Sequence, residues 1–269
     1  MDNVPIGVFD SGIGGLTVLK ALREELPHES FIYLGDTARV PYGSHTPQTI
    51  SQFAHELLRF ILKQKVKLIV VACNTIAATC IEELKKESPV PLISVVEPTI
   101  EEAFNISKTK RIGVIGTRAT IESNIYKKNI ELLDPTIQVF QQPCPLFVPI
   151  VEEGLNDHIA AKEFAENYLA LLKKEQIDTL ILGCTHYPLL KSLIQEVIGR
   201  DVLLIDSAYP TAQFVKQTLQ ENNLFTNNNE GKVTLQFTEI STTTKMLVEK
   251  FLEGNIADNF DLVDLTLHS

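Results

Sequence analysis

No Cys-x-x-Cys pair occurs in this 269-residue chain, and its four cysteines, Cys73, Cys80, Cys144 and Cys184, show no paired spacing. A structural zinc site wants further ligands at short spacing, and a dithiol redox centre favours the same motif, so neither metal nor redox chemistry is indicated. Long apolar runs are missing too: none approaches the ~20 residues of a membrane span. A basic excess is absent, since 24 Lys and Arg face 34 Asp and Glu for a net charge of −10. Without a basic patch to hold a phosphate backbone, nucleic acid is excluded as the main partner. The start, Met-Asp-Asn-Val-Pro-Ile, lacks a basic segment followed by an apolar core, so a cytoplasmic location with free thiols is expected. The turn Gly12-Ile13-Gly14-Gly15 has Thr17 where a dinucleotide fingerprint wants its third glycine, and no Walker A motif is present.

The chain does contain a repeat. Val66-Lys-Leu-Ile-Val-Val-Ala-Cys-Asn-Thr75 returns 111 positions later as Ile177-Asp-Thr-Leu-Ile-Leu-Gly-Cys-Thr-His186. Each copy is a short β-branched run bounded by polar residues, which reads as a buried strand of a parallel sheet with its cysteine at the carboxyl end. That end is where open α/β sheets bind ligands. Taken alone, a buried cysteine is an ordinary small apolar residue. Two in register, each followed by hydrogen-bonding side chains, mark a site.

Around this repeat, strands alternate with helices. Strands are expected at Ile6 to Phe9, Phe31 to Leu34 and Leu92 to Val96, with helices at Leu16 to Leu26, Pro47 to Lys65 and about Ile76 to Lys86. Ile112-Gly113-Val114 echoes Ile6-Gly7-Val8 and restarts the pattern. A helix from about Ala119, a strand near Ile137 to Phe140, a proline-broken loop from Pro143, a helix at Phe164 to Gln176 and a strand at Val202 to Ile205 follow. The segment Phe53 to Lys65 matches Phe164 to Gln176 without a gap, which suggests duplication. From Ala208 come a helix, a polar break at Asn222 to Gly231, a strand at Lys232 to Phe237 and a helix at Thr242 to Leu252. The fold class is therefore α/β, with two pseudo-symmetric doubly wound parallel-sheet domains facing a shared cleft. The expected division is 1–97 plus 208–269 for the first domain and 98–207 for the second.

Two cysteines on opposite walls of a cleft suit one chemistry in particular. Inverting a carbon by taking a proton from one face and returning one to the other needs two similar groups on opposite sides. A lone nucleophilic cysteine with a histidine base would also fit Cys184 and His186, but it leaves Cys73 idle.

Five motifs in order then carry a family resemblance: Asp10-Ser-Gly-Ile-Gly-Gly-Leu-Thr-Val-Leu19, Gly35-Asp-Thr-Ala-Arg-Val-Pro-Tyr-Gly43, Val71-Ala-Cys-Asn-Thr75, Cys144-Pro-Leu-Phe-Val-Pro-Ile-Val-Glu-Glu-Gly154 and Leu182-Gly-Cys-Thr-His-Tyr-Pro188. Together they resemble the glutamate racemases of the aspartate/glutamate racemase superfamily. The resemblance implies a cofactor-independent isomerase that interconverts L- and D-glutamate and supplies D-glutamate for peptidoglycan. It further implies Cys73 as the base acting on the D-enantiomer and Cys184 as the base acting on the L-enantiomer. Asp10 and His186 would assist them, and Glu152 would support the histidine side. Ser11, Tyr42, Gly43, Asn74, Thr75, Thr117, Thr120 and Thr185 match substrate-binding positions, along with Asp10 and His186, and residues after about 207 are expected to fold back on the first domain. Ile76 and Thr99 depart from the family pattern, which has a small residue at the first position and glycine at the second.

Helix starts after Cys73 and Cys184 are expected to favour their thiolates. A plain reading of the glycine turn leaves Asp10 and Ser11 exposed, and Asp36 fits a loop or cap as well as a functional role. Cys80 and Cys144 are expected to pack, while His28, His45, His55, His158 and His268 face solvent or cap helices. An aspartate or other amino-acid racemase, or an amino-acid-binding protein without turnover, are the alternatives. The sequence leaves the oligomeric state open, a homodimer included.

Overall fold

The computed structural model of the chain describes residues 4–226, 230–252 and 259–265. Its first run of elements is β1 (Ile6–Asp10), α1 (Leu16–Glu25), β2 (Phe31–Gly35), α2 (Pro47–Lys63), β3 (Leu68–Val71), α3 (Asn74–Glu87) and β4 (Leu92–Ser94). Helix α4 (Val96–Ile106) leads into a second run: β5 (Arg111–Gly116), α5 (Arg118–Ser123), α6 (Ile125–Leu133), β6 (Gln138–Pro143), α7 (Phe147–Glu152), α8 (Ile159–Lys174), β7 (Thr179–Gly183), α9 (Lys191–Ile198) and β8 (Leu203–Asp206). The chain closes with α10 (Ala208–Glu221), β9 (Val233–Phe237), α11 (Thr242–Leu252) and β10 (Asn259–Leu262).

Among the described residues the strands form two sheets, ordered β10-β9-β2-β1-β3-β4 and β6-β5-β7-β8, and every pairing is parallel. The second order repeats the inner part of the first, β2-β1-β3-β4, with each strand replaced by its counterpart. The spacing of 111 residues persists in three dimensions: α2 ends at Lys63 and α8 at Lys174, β3 opens at Leu68 and β7 at Thr179, and β4 opens at Leu92 and β8 at Leu203. Even the left-handed residues after α2 and α8, Lys65 and Gln176, keep this spacing.

Parallel strands covered by helices on both faces must be apolar on both faces. Along β3, Leu68 and Val70 enter one core while Ile69 and Val71 enter the other, and Leu180, Leu182 and Ile181 divide in the same way along β7. Both cores run through residues of both sheets, so each face of one sheet continues into its counterpart. The last elements extend the first sheet: β9 pairs with β2, β10 pairs with β9, and α10 and α11 both pack on α1.

Two helices depart from the expected pattern, and for one reason. Leu92 to Val96 was expected as a strand, but β4 spans only Leu92–Ser94 and α4 begins at Val96; the segment expected to be a proline-broken loop contains α7. Pro98 and Pro149 each stand in a first helical turn, where no intrahelical N–H is required and the fixed φ favours a helix. The helix expected from Ala119 is two pieces separated by Asn124, whose φ of 59° is left-handed. Helix α4 packs against β7 and β8 of the second sheet. Within the polar break expected at Asn222 to Gly231, residues 227–229 lie outside the described residues, as does His268.

Candidate active site

All the site strands end on one side. The carboxyl ends of β3, β5 and β7 deliver Cys73, Thr117 and Cys184 to a cavity between the two sheets, and β1 brings Asp10 up against Cys73. Ser11, Tyr42, Gly43, Cys73, Asn74, Thr75, Thr117, Glu152, Cys184, Thr185 and His186 line this cavity, joined by Val40, Pro41 and Val148. Asp10 and Thr120 stand directly behind this lining. Its free volume of about 40 Å³ exceeds the ~10–15 Å³ that one water needs on the same measure.

On the Cys73 side, the thiol donates to Ser11 Oγ at 3.3 Å. Helix α3 opens immediately after Cys73, two residues earlier than the expected Ile76, and no side chain caps it. The Ile76 N–H of its first turn faces the sulfur. Burial and the neighbouring Asp10 charge nevertheless push the Cys73 thiol up to about 12, against the opposing hydrogen bonds from Ser11 and Ile76. Cys73 therefore rests as a thiol, a proton donor.

Asp10 is fully buried, which corrects the expectation of an exposed turn residue. Its Oδ2 accepts the Gly12 N–H at 3.0 Å, while Oδ1 is buried with no hydrogen-bond partner. Burial raises its pKa, opposed by the positive charge of His186 and by the N–H groups of Gly15 and Gly12. The glycines make this packing feasible: a Cβ on Gly15 would lie 2.6 Å from the Asp10 Cβ.

The Cys184 side is built differently. No α-helix starts after Cys184, contrary to expectation; a 3₁₀ turn at Tyr187–Leu190 intervenes before α9. Proline at 188 in that turn, and Tyr187 and Leu190 buried in the core on either side of it, give the chain another route. A histidine stands where the helix dipole was expected. His186 Nε2 lies 2.9 Å from Glu152 Oε1 on α7. Burial alone would lower the imidazole, but its hydrogen bonds to Cys184 and Glu152 and their negative charges outweigh burial and raise it to about 10. His186 is thus an imidazolium near neutral pH, its ring against Phe251 of α11 at 5.8 Å.

The two walls also meet through threonines. Thr75 Oγ1 lies 3.0 Å from Thr117 Oγ1 and 3.5 Å from Thr120 Oγ1, and Thr117 caps α5 by accepting the Thr120 N–H. Asn74 donates to Ser207 Oγ at 3.3 Å and accepts from the Tyr126 hydroxyl. Ser207 and Tyr126 are supports that residue type alone did not single out, because their partner is known only once the sheets face each other. Of the bland assignments, Cys80 and Cys144 are buried, His158 caps α8 and His55 pairs with Glu87.

The sequence model of the Asp/Glu/Hydantoin racemase family matches residues 6–215. The chain belongs to this racemase family. Membership makes it an isomerase. It is 42% identical over 258 residues to the glutamate racemase of Geobacter metallireducens, covering 96% of each chain. Among solved structures, glutamate racemase from Bacillus anthracis superposes with a TM-score of 0.94 at 38% identity, covering 98% of this chain and 99% of that one. The Francisella tularensis glutamate racemase in complex with D-glutamate gives 0.93 at 38% identity, with coverage of 98% and 99%. Two buried thiols with unlike partners, Cys73 beside Asp10 and Cys184 beside His186, line this one cavity.

Proposed function

We propose that the chain interconverts L- and D-glutamate by proton transfer between two cysteines, without a cofactor, and supplies D-glutamate for peptidoglycan in the cytoplasm. The observation that carries this reading is the pair Cys73 and Cys184 at matching strand ends of a duplicated fold, both lining one cavity. The same duplication supports the division into residues 1–97 plus 208–269 and residues 98–207, with the cavity between.

The α-proton of an amino acid is very weakly acidic, so the site must stabilise a carbanion-like transition state while excluding water. In the L-to-D direction, Cys184 as thiolate, paired with the His186 imidazolium, takes the α-proton. The electron pair left on carbon takes the proton of the Cys73 thiol on the opposite face. Cys184 ends as thiol and Cys73 as thiolate, and exchange with solvent through His186 and Asp10 restores the starting state. Ser11, Asn74, Thr75, Thr117 and Thr185 offer hydroxyl, amide and backbone donors to the substrate's carboxylates, with Thr120 bonded to Thr117 behind them, which suits an anionic ligand in a chain without a basic patch.

The test is turnover of L-glutamate and L-aspartate followed by circular dichroism without added cofactor. Decay of the glutamate signal to zero, with kcat/KM for aspartate at least about a hundredfold lower, is the expected result. Aspartate turnover alone would replace this reading by an aspartate racemase, and binding without any decay would replace it by a binding protein.

A further inference from the structure

Asp36 is a fully buried carboxylate that the proton transfers do not use. It follows β2, and its N–H donates to the Asp10 carbonyl at 3.2 Å. Three side chains donate to it: the Tyr42 hydroxyl, Arg39 Nε at 2.6 Å and Thr238 Oγ1 at 2.8 Å. Tyr42 belongs to the segment that walls the cavity, Arg39 leads into it, and Thr238 follows β9 in the C-terminal part of the chain. A buried carboxylate with this many donors, one of them cationic, is compensated in charge and fixed in direction.

The same corner is tied at several further points. Thr37 Oγ1 donates to the Glu239 carbonyl at 2.6 Å, and the Ala38 N–H donates to Thr238 Oγ1 at 2.9 Å. Arg39 also pairs with Glu56 and lies over the Phe53 ring, 4.0 Å from its centroid. The Tyr42 hydroxyl is therefore committed to Asp36, and the cavity receives from this segment the Tyr42 ring and the backbone around Gly43. Gly43 sits so close to the second wall that a Cβ on it would lie 2.7 Å from the Thr117 Cβ. Small displacements of the segment would move the surface that seats the substrate.

The geometry points to Asp36 and Thr238 as positioning residues: the carboxylate, completed by a hydroxyl from the C-terminal segment, holds the wall from Val40 to Gly43 in register with Cys73 and Thr117. The segment after α10 then serves substrate binding without touching substrate. The kinetic side of this inference rests on the racemase reading above.

Thr238→Val removes both hydrogen bonds of the hydroxyl with almost no change of volume, and Thr238→Ser keeps them. For the valine variant, KM for L- and D-glutamate is expected to rise about tenfold with kcat within about twofold, the mark of lost binding shared by ground and transition states. The serine variant is expected to stay within about twofold of the parent, and Asp36→Asn to raise KM further than valine does. Hydrogen exchange of the full chain without substrate gives a readout independent of turnover: amides 37–43 are expected to exchange about tenfold faster in Thr238→Val, with β1 and β3 unchanged. If the parent protein does not turn over glutamate, the racemase reading fails and the exchange result alone decides this inference. Unchanged exchange at 37–43, a fall in kcat at constant KM, or a serine variant as impaired as the valine one would overturn it.

Discussion

Gly14 and His186 approach so closely that a Cβ on the glycine would lie 2.5 Å from the histidine Nδ1 and 2.2 Å from Thr185 Oγ1. The glycine-rich turn after β1 is therefore shaped by the opposite wall. Thr17, at the start of α1, adds a hydrogen bond to the Thr185 carbonyl at 3.3 Å. Gly14→Ala forces the Cys184 loop to move, and overpacking of this kind costs about 1–3 kcal/mol. The expected result is a fall of at least about a hundredfold in kcat/KM from L-glutamate, a 1 Å misplacement of catalytic groups having that effect, with the protein still folded by circular dichroism. Activity within threefold of the parent would show that this contact does not position His186.

Asp10 faces Cys73, so its carboxylate is placed to take and return that thiol's proton. Asp10→Asn keeps the shape and the hydrogen bond to Gly12 but cannot exchange a proton. At saturation, kcat from D-glutamate is expected to fall more than kcat from L-glutamate, by about tenfold or more, with KM changing in step because the unit equilibrium constant keeps kcat/KM equal in the two directions. Equal loss of kcat in both directions would contradict the assignment of Asp10 to one thiol.

His186 gives a pH dependence whose sign follows from its partners. Its folded pKa, about 10, lies above the ~6.5 of a free histidine. The stability it contributes is therefore fully present below about pH 6.5 and is lost as pH rises through about 10, at a slope of at most ~1.4 kcal/mol per pH unit between the two. Glu152→Gln removes one of the two charges that raise it, so the decline should end at lower pH. Urea unfolding at intervals from pH 6.5 to 9 checks this. Parallel curves for parent and variant would mean that Glu152 does not hold the charge of His186.

Much of this organisation was legible in the chain because duplication writes the same spacing twice. Cys73 and Cys184 fall at matching strand ends for the same reason that Lys65 and Gln176 share a left-handed backbone. Helices α4 and α7 were obscured by Pro98 and Pro149, since a proline in a first turn looks, in one dimension, like a break. The burial of Asp10 and the reach of Thr238 to Asp36 depend on contacts between residues far apart in sequence, which no local pattern carries. The two thiols look alike in sequence, and only three dimensions separate them: one faces a helix start and a buried carboxylate, the other an imidazolium.

The central claim is that two thiols act on opposite faces of one carbon. Its most direct test is racemisation of L-glutamate in D₂O, without added cofactor, by the parent protein, Cys73→Ala and Cys184→Ala, following circular dichroism and α-deuteration together. Decay to zero with deuterium at the α-carbon in the parent, and loss of racemisation by at least about a thousandfold in both variants, is the expected result. Racemisation that survives removal of either thiol would contradict the two-thiol account.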